Sequence, residues 1–176
     1  MECAWLSVVY SVVLDSRRNR VASGSMEYVF LFSSSSSLIS LTDALRYRLS
    51  LSGTVKVWDL LHGTCISTLE GHGSLVGLLC ISPNHLVSAA ADSTIKVWDA
   101  TTLNCDHTLT AHQGAITCFQ HDETKIISGS EGTLKMWDIR DGTFVRDLVT
   151  GVQGVWQVAF SGRHLVSASN RGGMTV

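Results

Sequence analysis

Histidine, serine and aspartate recur in this chain at a spacing that could build a proton relay. His72 is followed by Ser88 and Asp92, with Trp98 close behind; the set returns as His112, Ser128 and Trp137, with Glu131 near the place of the aspartate. A serine hydrolase would use such a trio once, on a strained and exposed nucleophile beside an oxyanion hole. No G-x-S-x-G elbow occurs here, and a catalytic centre is not copied from one stretch of chain to the next. The other assignment is structural. The aspartate holds the histidine ring, the second ring nitrogen reaches the serine hydroxyl, and the hydroxyl meets the indole N–H. Buried together, these groups satisfy one another and pin an outer strand to inner ones. We therefore expect no enzyme activity, no catalytic residue and no cofactor.

The elements that would position these side chains are read from a second recurrence. Trp58-Asp59, Trp98-Asp99 and Trp137-Asp138 close the runs T-V-K-V-W-D, T-I-K-V-W-D and T-L-K-M-W-D. Gly71-His72 and Ala111-His112 precede the second and third of these, and Gly151-Val152 follows at the same interval without a histidine. A period of about forty residues carrying G-H and W-D marks four-stranded blades of a WD-repeat β-propeller, an all-β fold. Within the blades, β-branched and aromatic runs separated by turn residues predict strands at Leu75 to Ile81, His85 to Ala89, Thr94 to Trp98 and Cys105 to Leu109. The next blade repeats them at Ala115 to Gln120, Lys125 to Ser128, Thr133 to Trp137 and Phe144 to Leu148. Leu69, Leu109 and Leu148 fall in register, as residues sharing one buried position would.

This spacing gives about three and a half blades: 8–72, 75–112, 115–151 and a last one, 155–176, that stops inside its third strand. Complete propellers close with four to eight. The expectation is therefore a partial propeller, a piece of a larger protein or of a faulty gene model. Blade one also breaks the rhythm. Ser88 to Trp98 takes ten steps, but Ser23 to Trp58 takes thirty-five. The surplus sits in a serine-rich stretch without repeat character, residues 27–52. It is either a surface insertion or a retained intron. Glu27-Tyr28-Val29 can be encoded with a donor-like GTATGT, and Ser52 with an acceptor AG. Splicing would write S-G-S-M-D-G-T-V-K-V-W-D, which restores both the repeat length and the turn aspartate. We expect the intron.

Composition narrows the partners. Thirteen basic against fifteen acidic residues leave a net charge of −2, which gives no broad attraction to nucleic acid or anionic lipid. The five cysteines form no C-x-x-C pair, and Cys65 and Cys105 repeat one place, so they read as small strand residues in a reducing compartment, nucleus or cytoplasm. His62 and Cys65 have ligand spacing but no second half, so no metal is expected. The apolar runs are too short for a membrane span, and Met1 to Ser16 lacks the basic start of a secretory signal.

The runs S-L-V-G-L-L-C-I-S-P-N-H-L-V-S-A-A-A-D-S-T-I-K-V-W-D-A, I-I-S-G-S-E-G-T-L-K-M-W-D and G-V-W-Q-V-A-F resemble the last blades of the fungal cell-division-control F-box/WD-repeat family. The resemblance implies a substrate receptor of an SCF-type ubiquitin ligase, whose propeller captures phosphorylated motifs through arginines and flanking aromatics. It performs no chemistry itself. In that family the reading side chains stand early in a blade's first strand, here Tyr10, Gly77, Thr117 and Trp156, or just before the turn aspartate, here Met26, Ala91, Ser130 and Asn170. None is basic, so the phosphate-binding arginines would have to come from other blades. Tyr10 and Trp156 match aromatic positions and are the candidate binding residues. Adaptor binding would need an F-box, which nothing before Val8 could form. A WD-repeat scaffold with another cargo, or a mis-annotated product without function of its own, are the other readings.

Overall fold

In the computed structural model, the structure describes residues 9–26, 53–110, 112–171 and 174–175. These form fifteen strands and, among the described residues, no helix. The first antiparallel sheet runs in sequence order through β1 (Val9–Asp15), β2 (Arg20–Met26), β3 (Gly53–Asp59) and β4 (Cys65–His72). The second is β5 (Val76–Ile81), β6 (His85–Ala90), β7 (Ile95–Asp99) and β8 (Cys105–Leu109). The third is β9 (Cys118–His121), β10 (Lys125–Ser130), β11 (Thr133–Asp138) and β12 (Phe144–Thr150). The last sheet has three strands, β13 (Gly154–Ser161), β14 (His164–Arg171) and the two-residue β15 (Met174–Thr175). These meanders are the blades of an all-β WD-repeat propeller.

Each sheet is apolar on both faces, so each must be covered twice. The first seam packs Ala22, Val55 and Val57 against Val76, Leu79 and Leu86. The second joins Val87, Val97 and Ile95 to Ile116 and Ile126, and the third joins Ile127 and Leu134 to Val155 and Val158. Polar contacts cross the same seams. Arg18 donates to Pro83 O at 3.0 Å and to Thr101 Oγ1 at 3.1 Å, Asn84 Nδ2 to Glu123 Oε2 at 2.7 Å, and Phe160 N to Gln120 Oε1 at 2.6 Å.

Many strand ends differ from the sequence reading by one or two residues, and the larger differences are the start of β9 and the register of β12. β9 starts only at Cys118, because the Thr117 amide and hydroxyl both turn to Gly129 O (3.0 and 3.2 Å) and the hydroxyl also meets Val155 O. The hairpin between β10 and β11 is shorter than its counterpart. Ser130 pairs with Thr133 across only Glu131 and Gly132, the latter at φ +84°, a left-handed value that suits glycine. The shortening changes the outer strand. Leu69 faces Val55 and Leu109 faces Ile95, but a register shift puts Val149, not Leu148, opposite Leu134. Leu69 and Leu109 are buried, and Leu148 is only half-buried. Residues 27–52 lie outside the described residues, though the strands that bracket them stay paired up to Met26 and Gly53.

Candidate functional site

Ser88 lies in β6 and Trp98 in β7, adjacent strands that place the indole Nε1 2.8 Å from Ser88 Oγ. His72, the last residue of β4 in the preceding sheet, brings Nε2 to 2.7 Å from the same hydroxyl. An indole N–H can only donate, so the Ser88 hydroxyl accepts from Trp98 and has its own proton left for His72 Nε2. That leaves the proton of the imidazole on Nδ1, which faces Thr94 Oγ1 at 2.9 Å and Asp92 Oδ2 at 3.3 Å. Asp92 is saturated in turn. It accepts the Gly73 amide at 2.6 Å and both the amide and the hydroxyl of Thr94, at 2.9 and 2.6 Å.

Electrostatics follow from this burial. Desolvation pushes the His72 imidazole below its ordinary value, and the Asp92 carboxylate offsets part of that shift. Burial raises the Asp92 carboxyl, but the Thr94 hydroxyl and amide and the Gly73 amide outweigh it and hold the group below the usual carboxylate range. The result is a neutral imidazole beside an ionised aspartate. Ser88 is 0 % exposed, and its proton and one lone pair are engaged, so no substrate carbonyl can reach it. The geometry of a relay is present without access to a reacting atom.

The following sheet builds the same chain with fewer members. Trp137 Nε1 donates to Ser128 Oγ at 2.9 Å, and His112 Nε2 stands 2.7 Å from that oxygen. Glu131 takes no part. His112 Nδ1 has Thr133 Oγ1 at 3.4 Å instead, and burial, with Lys135 adding its positive charge, drives the imidazole down to about 4. In the first sheet Trp58 Nε1 reaches Ser23 Oγ at 3.4 Å. Sequence reasoning missed the threonines Thr94 and Thr133. Their signal was the T that opens every T-x-K-x-W-D run. It also missed what the aspartate of each W-D pair does. Asp59 Oδ1 accepts the Leu61 amide at 2.7 Å, Asp99 Oδ1 the Thr101 and Thr102 amides at 2.8 and 2.6 Å, and Asp138 Oδ1 the Arg140 amide at 2.9 Å. Each is the side-chain lock of the turn that leads to the outer strand.

The candidate binding residues occupy a different feature. In β1, β5 and β13 the pairing with the next strand skips one residue: Tyr10 between Val9 and Ser11, Gly77 between Val76 and Leu78, and Trp156 between Val155 and Gln157. Each is the extra residue of a β-bulge, a device that re-aims a side chain away from the ladder. Trp156 is 62 % exposed despite its large apolar ring. Three of the four sheets place a bulge at this position, and at one of them Trp156 carries an exposed ring; in the third sheet Thr117 instead turns its hydroxyl to Gly129 O and Val155 O. None of these residues is itself basic. Of the second set of positions, Ala91 is exposed, while Ser130 is buried with its hydroxyl on Ala115 O at 2.9 Å. Among the described residues no group of three histidine, cysteine, aspartate or glutamate side chains is placed to hold a metal, and His62 Nδ1 is paired with Asp59 Oδ2 at 2.8 Å. No helix of the described residues is long and apolar enough to cross a membrane.

Comparison with known proteins bears on the same elements. The family model described as "WD domain, G-beta repeat" matches residues 63–99 and 103–138. Cell division control protein 4 of Candida albicans is 43 % identical over 164 residues, which is 93 % of this chain and 23 % of that protein. Regulator of rDNA transcription protein 13 of Saccharomyces cerevisiae is 33 % identical over 165 residues, covering 93 % of this chain and 86 % of the relative. The chain thus spans about a quarter of the first relative and most of the second. Among solved structures, the computationally designed Ika4 protein superposes with a TM-score of 0.74 at 29 % identity, over 98 % of this chain and 91 % of that one. The designed Ika8 protein gives 0.72 at 29 %, over 95 % of this chain but 44 % of the other.

Proposed function

The chain belongs to the WD-repeat family, and from that premise we propose that it is a protein-recognition propeller segment of the kind found in SCF-type ubiquitin-ligase substrate receptors, taking phosphorylated protein segments. The observation that carries this reading is the likeness to cell division control protein 4 across nearly the whole chain. The bulges support it, because in three of the four sheets they set one residue apart from the ladder, at a place independent of the buried histidine networks. Trp156 supplies an apolar wall for a bound segment, where an aromatic ring contributes large contact area at small entropic cost, and Tyr10 holds the equivalent backbone position. Neither set of reading positions carries a positive charge, so the phosphate is held by basic groups elsewhere in the complete protein. Arginine forks suit that task because they pair bidentately with phosphate oxygens. The segment does no chemistry; it holds a substrate in the nucleus or cytoplasm for transfer carried out by other subunits.

The test is binding of a fluorescent peptide library carrying phosphothreonine, with unphosphorylated copies alongside, to the complete protein. Phosphate-dependent binding that Trp156→Ala weakens about tenfold, roughly 1.4 kcal/mol, with an unchanged melting curve, is the expected result. Equal binding of both peptide forms would instead favour a second reading, a WD-repeat scaffold for other assemblies. The observation in its favour is that a relative named as a regulator of rDNA transcription is covered over 86 % of its length.

A further inference from the structure

The third sheet clips β13 on both sides of Trp156. On one side, Gln120 in β9 donates from Nε2 to Phe160 O at 3.2 Å and accepts the Phe160 amide on Oε1 at 2.6 Å. On the other side, the Thr117 hydroxyl donates across the seam to Val155 O. A hydroxyl has one proton to give, and Gly129 O, 3.2 Å from the same oxygen, already holds the Thr117 amide at 3.0 Å. The proton is therefore free for the neighbouring blade. The Cys118 thiol, a weaker donor, stands 3.8 Å from the same Val155 carbonyl. That carbonyl belongs to the planar peptide joining Val155 to Trp156, the residue set apart by the bulge. Holding it fixes the plane from which the Trp156 side chain departs.

The floor under that peptide is a glycine. The residue after the second-strand serine is Gly24, Ala89 and Gly129 in the first three sheets. A Cβ on Gly24 would lie 2.9 Å from Val76 Cγ1, and one on Gly129 2.9 Å from Val155 Cγ1; each valine directly precedes the extra residue of a bulge. Where Ala89 keeps its methyl, in the seam with Ile116, the following strand begins at Cys118 and its ladder skips no residue. Glycine thus makes room for the bulged main chain of the next blade. In the third seam a hydroxyl is added to that room, whereas Gly77, in the place of Thr117 one sheet earlier, has none to offer.

We propose that Thr117 is a positioning residue for Trp156: its hydroxyl, held on Val155 O from the neighbouring blade, sets the direction in which the exposed indole meets a bound protein segment. The proposal rests on the reading of Trp156 as a binding residue given above. Thr117 acts through the main chain. Trp156 is 62 % exposed, so little packing holds its ring, and the orientation of its backbone is what aims it. A loosened peptide would let the indole sample several directions, and ordering it again would weaken binding.

The experiment uses the complete protein labelled with fluorotryptophan, as parent, Thr117→Val and Thr117→Ser, with Trp156→Phe to identify the Trp156 fluorine line. Thr117→Val keeps the shape and removes the donor. It is expected to shift or broaden the Trp156 line while those of Trp58 and Trp98 stay in place, and to weaken phosphopeptide binding about threefold to tenfold, the size of one hydrogen bond. Thr117→Ser should return both readouts to the parent values. In a Trp156→Ala background, Thr117→Val should cost no further affinity. A Trp156 line that Thr117→Val leaves unmoved overturns the proposal. So does an equal loss of affinity with and without the indole, because the hydroxyl would then act on the ligand or on the fold as a whole. If the parent binds phosphorylated and unphosphorylated peptides alike, the functional reading above fails by itself, and the fluorine line still decides whether Thr117 aims Trp156.

Discussion

His72 and Ser88 are joined at 2.7 Å although one ends the outer strand of the first sheet and the other lies in the second strand of the next. The bond therefore crosses a blade seam. With Trp98 it ties three strands of two sheets through a single hydroxyl, and every group in the chain from Asp92 to the indole is satisfied only while the others stay in place. Removing a member should cost what its burial implies. Trp98→Ala is expected to lose about 3 to 5 kcal/mol as a buried aromatic truncation. His72→Ala leaves the buried Ser88 proton without its acceptor, while Asp92 keeps the Gly73 and Thr94 donors, and is expected to lose about 1 to 3 kcal/mol. Urea unfolding of the parent and both variants measures this, and unchanged midpoints would refute the assignment.

Stability should also fall on the acid side. His112 is held down to about 4 by burial, with Lys135 contributing, against 6.5 for a free imidazole, and burial depresses His72 as well. A group whose folded value is lowered adds stability that is fully present above the unfolded value. Below pH 6.5 the unfolded chain takes up the proton first, and the contribution is lost as pH falls to about 4, where the folded form protonates too. The loss is of the order of a few kcal/mol for His112, since each unit of difference is worth about 1.4. Urea midpoints should decline through this window, and His112→Gln should flatten the decline. A midpoint that rises on acidification would contradict the buried neutral imidazole.

Close approach of the blades gives a further handle. A Cβ on Gly129 would lie 2.6 Å from Cys118 Sγ and 2.9 Å from Val155 Cγ1, in the third seam. Gly129→Ala is therefore expected to destabilise by about 1 to 3 kcal/mol, the usual range for overpacking. Gly77→Ala meets nothing within 4 Å and has no left-handed backbone, so its melting curve should match that of the parent. Equal effects at the two sites would show that the seam is looser than described.

The repeat was legible because its period is written in residues with unlike jobs: the tryptophan turns inward to a serine while its aspartate neighbour locks the next turn. Identical spacing in several copies made the sheets, their strand order and the serine, histidine and tryptophan members readable before any coordinate. The bulges were not. They depend on which residues fail to pair, and nothing in the composition of Val9-Tyr10-Ser11 or Val76-Gly77-Leu78 says that the middle residue drops out of the ladder. The shift that brings Val149 opposite Leu134 was hidden for the same reason, since a register is set by the hairpin and the two strands together. Exposure at the arc's ends is also a tertiary property. Val166 and Val87 sit in the same H-L-V-S-A string, yet the first is 71 % exposed and the second is buried in a seam.

The first hairpin of the arc offers the last test. β2 and β3 pair without interruption from Arg20 and Asp59 to Met26 and Gly53, and 26 residues separate the last pair. In the third sheet the corresponding pair, Ser130 and Thr133, is separated by two residues, and in the second sheet the Ala90 amide closes on Thr94 O across three. We propose a retained intron at this connection, since splicing at Glu27 and Ser52 would leave one aspartate between Met26 and Gly53, at the place of Asp92. Closing a loop costs about 0.6 kcal/mol more per doubling of length. Going from a few residues to 26 is about three doublings, so replacing residues 27–52 with a single aspartate should stabilise the chain by about 2 kcal/mol. The new aspartate should add turn bonds of the kind Asp92 makes to Thr94. Urea midpoints of the shortened and parent chains, read together with the sequence of the mature transcript, decide the matter. A shortened chain that is less stable, or a transcript that keeps codons 27 to 52, would make the segment a working insertion.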